Sequence, residues 1–397
     1  MNSQNYLDMM KNNQGNILQF LEEEEEANSD EQFQILKDIF NDTKIKDNIF
    51  EFLSLLHLIS KIADNFHRSP AFICKIERIL RFFKEDIKKY FSNSEIFNIF
   101  KKNKRILLFL IEEKIIFFDE YIVKKITTNK KFITANYPQY FQPEIQPFIN
   151  EKWFPRHERK NSWFKTIKNE LPADFYLKRK KGENDHPLCE LIRNDFIDEF
   201  IMYITQNTIS LNSVINPSIY ETNQFLIKKQ TEKDGISLIE YAAFFGSLQI
   251  FKHLRFGRVK LTESLWSLAI HGQNAELIHL LEDDHVDLKD KTYKYYFYES
   301  LKCHHNNIAD YFLDNFMKGD EENLRSTFNQ SLKFYNFAFL KNDFIDEDSL
   351  FNLCKYDYCT LVDSLLQNKD IDINKKIIYQ QLVNVISYYN CFIQLKQ

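Results

Sequence analysis

The chain has 397 residues with only 7 Gly and 8 Pro beside 38 Phe and 20 Tyr, whereas average usage of roughly 7% Gly and 5% Pro gives about 28 and 20 at this length. The Gly stand too far apart for a P-loop, a dinucleotide fingerprint, a kinase loop or a nucleophile elbow, each of which needs closely spaced Gly. A net charge of -5 and a pI near 6.1 exclude broad affinity for nucleic acid or acidic membranes, which takes a clustered positive surface.

Residues 1–133 read as a helical N-terminal region. The opening MNSQNYLDMMKNNQ lacks the basic-then-apolar order of a signal peptide, and the acidic run Glu22 to Glu26 fits a solvated helix face or loop. Ser69-Pro70 has the form of an N-cap with proline in the first turn, and Phe72, Ile73, Ile76, Ile79, Leu80, Phe83, Ile87 and Tyr90 follow at helical spacing. Glu51, His57, Asp64 and His67 read as exposed helix faces. From Ser94 to Ile116 two amphipathic stretches flank a turn at Asn103, the pattern of a degenerate repeat, with an ordinary pair of amphipathic helices as the alternative. The stretch Ile106 to Phe118 is broken by Glu112, Glu113 and Lys114 and is too short to cross a bilayer, so no membrane span is expected.

Residues 134–186 hold five of the eight Pro and two of the three Trp. Proline removes a backbone donor and keeps its predecessor out of the helical region, so an irregular connector is expected, packed because it is rich in aromatics. Lys178 to Lys181 is the one compact basic run and reads as a solvated loop, with nuclear import as the alternative.

Residues 187–397 carry an internal repeat. Its clearest copy, Asp234 to Leu254, places Ala242 and Ala243 just before Gly246, and Ile250, Phe251 and Leu254 four, five and eight residues beyond it. Small residues let a short first helix pack closely, the Gly turns the chain, and the apolar triplet faces the core from a second, antiparallel helix. Further copies turn at Gly272, with one residue inserted before Leu277, Ile278 and Leu281; at His304, before Ile308, Ala309 and Phe312; and at Asp357, before Leu361, Val362 and Leu365. A blurred copy lies around Asn323 to Ile345. Such units stack, about six here, because none can bury its apolar face alone. Where Gly is missing, Asn103, His304 and Asp357 are expected to take the left-handed backbone, in looser turns.

The order of Gly235, Ser237, Ala242, Ala243, Gly246, Ile250, Phe251 and Leu254, with the tail DIDIN at Asp370 to Asn374, resembles the ankyrin repeat. Ser237 stands where that family has Thr, and Leu238, Ile239 and Glu240 replace its Pro-Leu-His. The segments ELIRNDFIDEF, SLIEYAAFFGSLQIF and KCHHNNIADYFL, with YFSNSEIFNIFKKNKRILLFLIEEKII upstream, are similar to expanded protist families of ankyrin proteins that carry a domain of unknown function. The resemblance implies an all-α fold, a helical N-terminal region followed by an ankyrin-like α-solenoid. It further implies a noncatalytic adaptor or scaffold that binds an unidentified protein partner through the concave face and loops. That face takes in Ile236 at a loop tip and the residue pairs before the turns: Phe244 and Phe245, Ile270 and His271, Lys302 and Cys303, Lys355 and Tyr356. Packing against the adjacent repeat is the alternative for each. No cofactor, metal, nucleic-acid or membrane partner is expected, and the expected location is cytoplasmic. The alternatives are an N-terminal enzymatic activity whose substrate the repeats recruit, or a nuclear regulatory factor.

Other residue clusters read as structural. Cys303, His304 and His305 are adjacent, whereas zinc ligands come in spaced pairs, and in the repeat frame the two His take the turn. Cys354 and Cys359 are too far apart for a redox pair. His271, His279 and His285 lie near Glu282, Asp283 and Asp284 without a nucleophile signature or HExxH spacing. Six scattered Cys suit a reducing compartment. After Asn374 the sequence KKIIYQQLVNVISYYNCFIQLKQ has neither the small-residue helix of a further unit nor a polar cap.

Overall fold

The computed structural model describes residues 2–23, 26–66, 72–149, 162–167, 169–230, 232, 235–284, 286, 293–317 and 321–367. His67, Ser69, Pro70, Trp153, Asp234, His285, the DIDIN tail and the segment after it lie outside the described residues. Among the described residues every regular element is helical, so the fold is all-α, with one isolated antiparallel bridge between Val214 and Ser237. The chain divides into a discontinuous unit of residues 1–61 and 291–397 and a central unit of residues 62–290. The sequence boundaries at 133 and 186 fall inside the central unit, and the N-terminal helices group with the last hairpins.

In the connector, proline starts helices where irregular chain was expected. Pro138, Pro143 and Pro147 sit in the first turns of Tyr137–Tyr140, Gln142–Ile145 and Gln146–Phe148, where a helix leaves its N–H groups unbonded and the fixed φ of proline fits. Tyr137, Tyr140, Phe141, Ile145, Trp163 and Phe164 are buried, which makes the segment a packed part of the central unit.

Three helical hairpins follow in that unit: Pro187–Arg193 with Ile197–Gln206, Leu238–Phe245 with Leu248–Phe256, and Leu265–Gly272 with Ala275–Asp283. The discontinuous unit holds Tyr293–Cys303 with Asn306–Phe316 and Leu350–Lys355 with Cys359–Leu366; between these two pairs, Glu321–Phe334 has no second helix. Within each unit the first helices pack in succession. The left-handed residues that close them are Asp195, Gly246, Gln273, His304, Tyr335 and Asp357, with φ between 47° and 68°. At all six the left-handed residue donates its N–H to the carbonyl three residues back. At five of them, all but Gln273, the next residue also donates to the carbonyl five back, the two bonds at N···O distances of 2.9–3.3 Å, which is the Schellman closure. The turns at Asp195, His304, Tyr335 and Asp357 are therefore closed as tightly as the one at Gly246, and the expectation of looser turns at His304 and Asp357 is overturned.

Two turn assignments also change. The third hairpin turns at Gln273, and counted from there Leu277, Ile278 and Leu281 fall at the same offsets as in the other hairpins, so no residue is inserted. Gly272 instead serves packing: a Cβ there would lie 2.5 Å from the carbonyl oxygen of Ala243. Asn103 has φ -108° and caps the Lys104–Glu112 helix, its Oδ1 accepting from Ile106 N at 3.1 Å and its Nδ2 donating to the Ala63 carbonyl at 2.8 Å. The Ser94 to Ile116 segment thus forms a hairpin without the left-handed turn.

Successive hairpins are tied by a recurring link. The residue after the turn donates a side-chain hydrogen bond to the carbonyl three residues before the preceding left-handed residue. Ser247 does so to Ile192, Asn336 to Leu301 at 3.0 Å, and Tyr358 to Leu332 at 3.1 Å. Asp195 adds a second tie, accepting from Gln249 N and Ile250 N of the next second helix at 2.9 Å each, the place where an anion best satisfies a helix start. Ser237 and Glu240 form a capping box in place of the Pro-Leu-His of the ankyrin pattern.

After Tyr335 the chain makes only the short turns Phe337–Phe339, Asn342–Phe344 and Glu347–Ser349. Asp346 caps the last of them, its side chain accepting from Ser349 N at 3.0 Å, and the chain runs on into the Leu350–Lys355 helix. The Ser3–Glu22 helix packs against the first two of these turns and against Cys359–Leu366. Its buried Gln14 donates to Asn336 Oδ1 at 2.8 Å and accepts from Phe337 N at 2.6 Å. A helix from the far end of the sequence completes a hairpin that lacks its second member.

Candidate partner-binding surface

Of the residues expected on a contact face, Ile236, Phe244, Ile270, His271 and Cys303 are 0% exposed and have no surface to offer. Phe244 and His271 face inward in a triangle of rings with Phe225: His271 lies 4.2 Å from Phe225 and 5.3 Å from Phe244, and the two Phe are 5.9 Å apart. Ile236 is held in the loop by its carbonyl, which accepts from Ile215 N at 2.8 Å. Phe245 remains half-buried against Tyr241, and Lys302 is bonded to Glu299 at 2.5 Å. Lys355 is exposed and Tyr356 half-buried; the ammonium of Lys355 stands 5.2 Å from the Tyr356 ring and 5.8 Å from Phe351. Phe351, not singled out from sequence, completes this small aromatic patch.

The clusters with chemical potential are internal. Lys104 is 0% exposed, donates to the carbonyls of Ala135 and Ile219 at 3.1 Å each, and lies 5.0 Å from the Tyr140 ring. Burial pushes its pKa down to about 7, since low dielectric disfavours the charged form. Around it Arg105 pairs with Glu77 at 2.6 Å and Arg179 with Glu144 at 2.8 Å, and Arg193 bonds the Tyr241 hydroxyl at 2.9 Å. Burial raises the nearby Glu221 carboxyl and pushes the Cys189 thiol up to about 12, so Cys189 is not a thiolate at neutral pH. Lys104 thus ties the connector at Ala135 to the loop at Ile219, and Arg193 ties the first hairpin to the second.

The basic run is a helix, Phe175–Lys181, where a loop was expected. Lys178 pairs with Asp174 and Asp185 at 2.9 Å, Arg179 is buried, and Lys181 pairs with Glu190 at 2.9 Å. Glu51 and Asp64, expected on exposed faces, are buried, and His57 is largely covered, its ring stacked on Tyr335 at 4.9 Å. Burial holds the Glu51 carboxyl above its usual range, and Asn48 donates to it at 3.0 Å. His279 is exposed and paired with Glu282 at 2.9 Å, away from the buried His271. Cys303, His304 and His305 are buried at the turn, and burial pushes His304 down to about 4. Cys354 and Cys359 are buried, and the thiol of Cys354 is pushed up to about 11 by burial.

One uncovered apolar surface escaped the sequence reading. The Pro187–Gln206 hairpin leaves Phe196 and Met202 51% and 54% exposed, beside a groove of about 440 Å³ between its two helices. The signal for it is the run FIDEFIMYI, whose apolar residues cover more than the single stripe that one buried face needs. No helix among the described residues is long and apolar enough to cross a membrane, and no family model, curated protein or solved structure matches the chain.

Proposed function

We propose that this chain is a noncatalytic scaffold of ankyrin-like helical hairpins that binds a partner protein. The observation that carries the reading is the repetition of one hairpin with one closure and one side-chain-to-carbonyl link between neighbours. Such stacks present extended surfaces whose shape is set by the repeat and whose specificity is set by surface residues. The antiparallel bridge before the Leu238–Phe245 helix and the small-residue contact between Ala243 and Gly272 agree with the ankyrin resemblance. The polar clusters capable of chemistry are buried and serve the interior, which favours binding over catalysis, and the proposed location is cytoplasmic.

The test is affinity purification of the full chain from its native cell with partner identification, repeated with Phe245→Ala and Tyr356→Ala. A partner lost with Phe245→Ala supports a contact on the central unit, and one lost with Tyr356→Ala a contact on the discontinuous unit. Recovery of a turned-over substrate would remove the reading, and retention of every partner by a variant would remove the contact at that residue.

A further inference from the structure

The Pro187–Gln206 hairpin has two apolar sides. Cys189, Ile192, Phe200 and Ile204 are buried, and this side meets the next hairpin, where Ser247 bonds Ile192 and Phe200 lies 6.3 Å from His253. On the other side Leu191, Phe196 and Met202 line the groove, and the two charged residues in its lining, Glu190 and Glu199, are both acidic. Glu190 is already shared with Lys181, whereas Glu199 is exposed. Elsewhere the same protein docks a helix distant in sequence onto its hairpins. Where the hairpin after Tyr335 lacks a second helix, the Ser3–Glu22 helix packs there and is fixed by Gln14.

Resting on the scaffold reading above, we infer that the groove of the Pro187–Gln206 hairpin binds an amphipathic helix of a partner protein, with an apolar stripe flanked by Lys or Arg. Two antiparallel helices form a trough into which the ridge of a third helix fits, and recognition by apolar anchors one turn apart suits Phe196, Leu191 and Met202. The exposed Glu199 at the rim selects the sign of the flanking charge and speeds encounter.

Two labelled synthetic helices of about five turns, identical in their leucine stripe and carrying either Lys or Glu beside it, are titrated against the full chain by fluorescence anisotropy. The Lys peptide binds, the Glu peptide binds at least about tenfold more weakly, and Phe196→Asp or Met202→Asp weakens the Lys peptide by at least about tenfold. Both side chains are half-exposed, so unchanged thermal unfolding of the variants confirms that folding is spared. Glu199→Lys narrows or reverses the preference between the peptides. Failure of the Lys peptide to bind, equal binding of both peptides, or binding indifferent to Phe196→Asp and Met202→Asp overturns the inference. So does sedimentation showing that the wild-type chain self-associates and Met202→Asp does not, because the groove then holds a second copy. These outcomes leave the scaffold reading standing if native-cell purification still recovers a partner, so the two can fail separately.

Discussion

Thr208 shows how glycine scarcity is written into single residues. It closes the Ile197–Gln206 helix with φ 52°, a conformation in which a β-branched side chain crowds its own backbone. The left-handed form costs an L-residue roughly 1–2 kcal/mol, while a Gly placed there forfeits about 0.5–1 kcal/mol of unfolded-state freedom. Thr208→Gly should therefore raise the unfolding free energy by up to about 1 kcal/mol, read as a higher urea midpoint at unchanged slope; a lower midpoint would show that the turn carries no strain. Gly272 presents the opposite case, because its lack of a Cβ is used for contact with Ala243 and not for a left-handed turn. Gly272→Ala drives a methyl into a backbone carbonyl and should cost about 1–3 kcal/mol in the same measurement. The sequence drew attention to Gly272 as a turn because Gly is the usual turn residue; the two uses of Gly are indistinguishable until the neighbouring helix is in view.

At the level of elements, the apolar triplets were legible because burial on a helix has a fixed period, and Ile250, Phe251 and Leu254 keep the same offsets as Leu361, Val362 and Leu365. The side chains before the turns were not legible in the same way. Phe244 and Phe245 are equally apolar neighbours, yet one is 0% exposed and the other half-buried, a difference set by how closely the Leu265–Gly272 helix approaches. The missing helix after Tyr335 was illegible for a different reason, since the residues that complete it lie 322 positions away, where Gln14 meets Asn336. That long-range bond gives the element a test. Gln14→Leu keeps most of the packing volume but orphans the buried Phe337 N–H and part of Asn336, each costing about 1–3 kcal/mol. The variant should be destabilised by several times more than an exposed control such as Gln4→Leu. Equal effects would mean that the Ser3–Glu22 helix is held by apolar contact alone.

For the whole molecule the informative quantity is how stability follows pH, because buried bases titrate in separate windows. Lys104 has its folded pKa lowered from 10.5 to about 7, so between those values the unfolded chain holds more protons than the folded one. Stability then rises with pH across that window, by at most about 1.4 kcal/mol per unit, and below it Lys104 adds no slope because both states are charged. His304, lowered from 6.5 to about 4 by burial, has the same sign in a lower window, so its contribution is lost as pH falls from 6.5 toward 4. Urea unfolding followed from pH 5 to 9 should thus climb along both limbs. Lys104→Met removes the buried ammonium while keeping an unbranched side chain between the Tyr137 and Tyr140 rings, and it should flatten the slope above pH 7 while leaving the lower limb intact. His304→Asn, which still tolerates the left-handed backbone, should reduce the slope of the lower limb only, because His57, lowered by burial to about 3, rises in the same window and Asp357, raised to about 6, opposes both. If Lys104→Met retained the full upper slope, the proton released on folding would belong to another group, and the buried lysine would have to be charged in the folded protein.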